Sequence, residues 1–187
     1  MSSDKTDNKR KQKKKNKNTW VIKIIILTFL ISVVLSTLSG TLLEGAAPFI
    51  MVSVLLIIIL IGVLFDVIGV AVTAADEAPF HAMAAKKNPS AKIAISLLKS
   101  ADKVSNFCND VIGDICGIVS GAAASAIILQ IPTNHFLWNL LLSGLTAALT
   151  VGGKALGKSV AISQSENIVL QVARLLLFFK KLFRIGD

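Results

Sequence analysis

Cysteine is nearly absent: Cys108 and Cys116 are the only two in 187 residues. Both lie in one apolar stretch, and on a helix they would sit about 12 Å apart at 1.5 Å per residue. That separation is beyond the reach of a disulfide, so both read as small buried apolar residues. Histidine is equally scarce. His81 and His135 fall on different segments, away from the cysteines and from any nucleophile. A zinc-like cluster and a nucleophile–base pair are therefore both missing, and no enzyme activity and no bound cofactor are expected. The glycine-rich VGGKALGKS lacks the spacing of a phosphate loop, because Gly152 or Gly153 stands too close to Gly157-Lys158-Ser159. It also follows an apolar helix where that motif needs a strand.

The apolar runs themselves have almost no strand-turn punctuation, and more than half of the chain is hydrophobic. A hydrocarbon core of roughly 30 Å demands about 20 apolar residues of a crossing helix. Three runs meet that length plainly and a fourth more weakly. The expected fold is an all-α integral membrane protein with about four transmembrane helices. An N-terminal helix covers residues 19–39, and the main domain, residues 48–187, holds spans at about 49–74, 104–131 and 135–155. Between the first two spans, Ser39 to Pro48 reads as a short loop with Gly40, Gly45 and the lone charge Glu44. Residues 75–103 turn polar and read as a cytoplasmic helical hairpin, broken at Asn88-Pro89. Residues 163–185 carry Gln171 and Arg174 inside their apolar run and end in Lys180, Lys181 and Arg184. This last helix is expected to be amphipathic and juxtamembrane, lying in the interface and not crossing it.

Basic charge is missing from both proposed outer loops. The net charge of +9 comes from 20 basic residues, eight of them in the aromatic-free tail before Trp20. Five more lie in the hairpin and six from Lys154 onward. Four spans put all three basic segments on one side, as the positive-inside rule requires. Both termini are thus expected in the cytoplasm of a multi-pass cell-membrane protein. The tail, residues 1–18, is too polar to offset its ordering entropy and reads as disordered. It serves as a topology signal, with binding to anionic lipid as the alternative; nucleic acid is not the expected partner. A basic tail before an apolar run also describes a signal peptide, but the run exceeds an ordinary h-region, which favours an uncleaved anchor.

Ionisable residues at membrane depth are functional candidates by default. Here they are Asp66, Asp110, Asp114 and Lys154. Asp110 and Asp114 are four apart and should share one helix face. Asn106 extends that face, with Asn109 and Ser105 beside it. Carboxylate and amide oxygens suit a hard cation such as Mg2+, but the same oxygens could take Na+ or relay protons. Pairing of Lys154 with an aspartate would instead make the cluster internal glue, and an interfacial position would leave the aspartates wet. Gly113, Gly117 and Gly121 recur every four residues, a spacing that lets two helices approach closely. Packing within one chain is the first reading of that face, and a homodimer seam is the alternative.

The order of these features resembles the transmembrane domain of the CNNM/CorB/CorC family, over Phe65 to Phe183. Ser90-Ala91-Lys92 and Leu97-Leu98-Lys99 resemble the family's hairpin, and VSNFCNDVIGD its asparagine-bearing helix. The stretch ALTVGGKALGKSVAISQSENIVLQVARLLLFFKKLF is similar to the family's helix end, Gly-Glu-x-x-Pro-Lys turn and juxtamembrane helix. The resemblance implies divalent-cation (Mg2+ or Co2+) transport or efflux, with Asp66, Asn106, Asn109, Asp110 and Asp114 as metal-ligand candidates. The departures fall at the chemistry. The family's Ser-Glu-Thr-Ala acid is missing near Val67–Ala71, leaving Asp66 nearest. Its turn becomes Gly153-Lys154-Ala155-Leu156-Gly157-Lys158, where Lys154 replaces the acid and would act as counter-ion. No stretch resembles the family's CBS pair, so no nucleotide-binding domain is expected here. A non-transporting scaffold or regulatory partner that keeps the fold is the competing reading.

Overall fold

The computed structural model describes residues 3–43, 45–130 and 136–182, with side chains from residue 21 onward except those of residues 44, 48, 130, 136 and 139. Glu44, the proposed outer loop at Pro132–Asn134, His135 and the last five residues therefore lie outside the described residues. Every described element is helical. Four helices are long and apolar enough to cross a membrane: Val21–Leu43, Phe49–Ala74, Ala101–Leu129 and Leu140–Ser163. The predicted all-α architecture is what the described residues form, with four helices that could serve as spans. Helices suit that medium because each satisfies its own backbone polar groups where no water can.

In chain order the elements are α1 (Ser3–Leu43), α2 (Pro48–Ala74), α3 (Ala78–Ala85), α4 (Pro89–Lys99) and α5 (Ala101–Asn106). A π-helical segment (Phe107–Gly113) then leads into α6 (Asp114–Gln130), followed by α7 (Phe136–Ser163) and α8 (Ser165–Leu182). Several boundaries differ from the sequence reading. Helix α1 begins at Ser3, so the basic stretch read as disordered is helical from there on; lysine, arginine and glutamine are good helix formers. It also runs through Ser39, Gly40 and Thr41, where a loop is expected. Thr41 Oγ1 donates back to the Leu38 carbonyl at 3.0 Å, and the turn is deferred to Gly45, whose φ of 70° favours glycine. Pro48 then opens α2, where its missing N–H costs nothing.

Helix α7 is the larger correction. It does not end near Ala155 but stays helical through GGKALGK to Ser163, so the family-like turn at Gly153–Lys158 is absent. Glycines do not stop a helix where solvent offers the backbone no alternative partner. Only Gln164 separates α7 from α8, and Ile168 N donates to the Gln164 carbonyl at 3.0 Å across the joint.

Buried residues cluster at both ends of the bundle and between them. Ala71, Val72, Phe80, Ala94, Leu98, Ala161, Val169 and Ala173 form one buried cluster joining α2, α3, α4, α7 and α8. Alanines let these helices approach closely, and Phe80, fully buried, fills the space between them. Asn88 caps α4 by accepting from Ser90 N at 3.1 Å. A second cluster at the far end, with Leu43, Met51, Leu55 and Ala123, ties α1 and α2 to α6.

Candidate functional site

The register of the helices fixes which polar residues can meet. A Cβ placed on Gly62 would lie 2.9 Å from the Cys116 Cβ and 3.9 Å from the Gly113 carbonyl oxygen. A Cβ on Gly69 would collide with the Asn109 carboxamide. Helix α2 therefore runs antiparallel to the π segment and α6, with Gly62 and Gly69 as the points of closest approach. Asp66 falls between them on the same α2 face, at the level of Ile112 and Gly113. On the adjacent face of α2, Val63 reaches Gly153 and Val67 reaches Gly157, so α7 runs parallel to α2. Lys154 enters the seam at this level.

Among the described residues, two oxygens at this seam are buried and have no hydrogen-bond partner: Asp66 Oδ2 and Asn109 Oδ1. Asp66 is 5% exposed. Asn109 spends its amide nitrogen on Ser105 Oγ at 3.2 Å, which turns its oxygen toward Gly69. A buried polar atom left unpaired costs about 1–3 kcal/mol, and a buried charge without a partner costs more. Such atoms are uncommon and call for an explanation. The Lys154 ammonium donates to the Gly113 carbonyl at 3.4 Å and stands 3.9 Å from Asp114 Oδ1.

The predicted site residues divide accordingly. Asp66 and Asn109 both lie in the seam between α2 and the π segment, and Lys154 borders it. Asp110 is exposed and Asp114 is 68% exposed, so neither joins Asp66. Asn106 is half-buried and makes no hydrogen bond that involves its side chain among the described residues. The expectation of one polar face through Asn106, Asp110 and Asp114 assumed a regular α-helix. The π segment between Phe107 and Gly113 replaces that period with i to i+5 bonding. It turns Asn109 and Gly113 inward and leaves both aspartates outside.

Among the described residues, no three histidine, cysteine, aspartate or glutamate side chains gather as a metal cluster. The seam instead offers the Asp66 carboxylate and the Asn109 amide oxygen; the Gly113 carbonyl is taken by Lys154 and the Ser105 hydroxyl already accepts from Asn109. That donor set fits a hard cation that keeps several of its waters, as Mg2+ does. Sequence reasoning missed Gly62, Gly69 and Gly113 as site residues. A glycine at positions 62 and 69 within the otherwise bulky apolar run of α2 was the signal. The glycine stripe behaves unevenly: Gly113 faces Lys154, whereas a Cβ on Gly117 or Gly121 would meet nothing within 4 Å. Among the described residues, packing within the chain thus uses only its first member. Cys108 and Cys116 are buried free thiols. His81, on α3, sits 3.4 Å from Glu77 and is exposed, away from the seam. In comparisons with known proteins, no family model, no curated protein and no solved structure matches the chain.

Proposed function

We propose that this multi-pass membrane protein binds and moves a divalent cation, Mg2+ in the first instance, at the Asp66–Asn109 seam. The observation that carries the proposal is the pair of buried oxygens without a partner among the described residues, Asp66 Oδ2 and Asn109 Oδ1, on facing helices. One cation with retained waters would satisfy both, which apolar neighbours cannot. The order of features shared with the CNNM/CorB/CorC transmembrane domain supports the same class of cargo. Lys154 is the counter-ion of this altered site, and Asp110, Asp114 and Asn106 line the approach to it and do not ligate. No cofactor takes part, and the chain is a carrier and not an enzyme.

The charge distribution supports a topology with both termini, the α3–α4 pair and α8 on the cytoplasmic side of the cell membrane. Helix α8 buries Ser165, Val169 and Ala173 and leaves Leu175, Phe178 and Leu182 exposed beside Lys181 and Arg174, which suits an interfacial helix. The open Gly117 and Gly121 suit a homodimer seam. The second reading, a non-transporting scaffold, draws on the Lys154 ammonium, which already places a fixed positive charge beside the Gly113 carbonyl.

Purified protein should gain thermal stability with added Mg2+, and proteoliposomes should carry Mg2+ across the bilayer. Asp66→Asn should abolish both. Gly69→Ala, which displaces the Asn109 carboxamide while keeping every donor, should weaken both. A wild-type protein blind to Mg2+, with Asp66→Asn no less stable, would leave the scaffold reading in possession.

A further inference from the structure

An apolar cavity of about 640 Å3 lies between α1, α2 and α6, with walls that include Leu30, Leu42, Val54, Phe65 and Cys116. Its size falls in the range of roughly 300–1,000 Å3 usual for small-ligand sites. Its walls hold almost no polar group, so water, which needs two to four polar partners, has nothing to bind there. All three bordering helices are long and apolar enough to cross the membrane, so the medium around the cavity is hydrocarbon. Along α1 the lining runs from Leu30 to Leu42, about 18 Å at 1.5 Å per residue. One leaflet's share of the hydrocarbon core is about 15 Å. The groove is thus one leaflet deep. One end lies next to the Gly45 turn. The other stops at Phe65, Ile112 and Cys116, beside Asp66 in sequence and register.

We infer that this groove holds one acyl chain of a membrane lipid drawn from the leaflet on the Gly45 side. The bound chain replaces packing that α1 does not provide, since contacts between atoms are lost outright across a void. Its tip rests on Cys116, whose Cβ packs on Gly62 at the edge of the polar seam. The lipid therefore seals the seam laterally and belongs to the structure whether or not a cation is carried.

Full-length protein extracted in mild detergent from dipalmitoyl phosphatidylcholine vesicles tests this by native mass spectrometry. One phospholipid should stay bound per chain. Val54→Trp and Val34→Trp fill the groove from α2 and from α1 respectively, and each should cut retention about tenfold, about 1.4 kcal/mol. Leu140→Trp, on an exposed face of α7, should leave retention unchanged. The two filling variants lie on different helices, so a folding failure of one leaves the other decisive. A lipid-free wild-type monomer, a lipid-free dimer, or equal retention in a folded filling variant would each overturn the inference.

Discussion

Helices α1 and α2 are both long apolar helices, yet they are built for different surroundings. Helix α2 is packed on two adjacent faces, by the π segment and α6 on one and by α7 on the next, and it keeps Gly62, Asp66 and Gly69 on one face. Helix α1 touches its neighbours along one side, and only Ser39 and Leu43 of its described side chains are buried. Isoleucine, leucine and valine exposed along α1 lose nothing in lipid, because tails are as apolar as they are. Close approach, not hydrophobicity, therefore distinguishes the two helices: small residues admit a neighbour's backbone, and polar groups follow.

The largest loss is expected at the buried end of α2. Phe80 is fully buried in the cluster that α2 shares with α3, α4, α7 and α8. Phe80→Ala should cost about 3–5 kcal/mol, read as a large fall in the melting temperature of the detergent-solubilised protein. Phe29→Ala, at a position 66% exposed on α1, should shift stability by no more than about 0.5 kcal/mol. Equal losses would mean that α1 is packed as α2 is. A sharper test uses one substitution at two glycines. Gly62→Ala drives a methyl against the Cys116 Cβ, which cannot swing aside because it is bonded to the backbone, and should cost about 1–3 kcal/mol. Gly40→Ala meets nothing within 4 Å and should stabilise α1 by up to about 1 kcal/mol through helix propensity. The opposite signs are the result to look for in paired thermal melts.

The contrast between these two helices also explains what could be read beforehand. The four spans were legible because apolar length is a property of the residues alone. Helix ends were less so. Ser39-Gly40-Thr41 and Gly152-Gly153 look like stop signals, but in hydrocarbon a helix ends only where the chain leaves the apolar layer or a turn residue such as Gly45 forces it. The π segment was illegible, since FCNDVIG has no composition that selects i to i+5 bonding over i to i+4. That single shift decided the site: it separated Asp110 and Asp114 from Asp66 and turned Asn109 inward. Asp66 itself was legible as an acid in an apolar run, and so was Lys154 as its neighbour in chemistry. Their shared level in the bundle came only from the glycine contacts.

The smallest expected effect concerns Lys154. Its pair with Asp114 is long, at 3.9 Å, and Asp114 is mostly exposed, so Asp114→Asn should change stability by less than about 0.5 kcal/mol. Its hydrogen bond to the Gly113 carbonyl is different, because that carbonyl sits at the end of the π segment and is reached by no other side chain among the described residues. Lys154→Met keeps the length of the side chain and removes only the ammonium. It should cost about 1 kcal/mol, whereas Lys23→Met on exposed α1 should cost nothing measurable. The same variant separates the two functional readings. If the ammonium competes with a bound cation at the seam, Lys154→Met gains Mg2+-dependent stability at lower Mg2+ than wild type even as its ion-free stability falls. If the lysine is structural glue, both curves drop together and Mg2+ makes no difference to either.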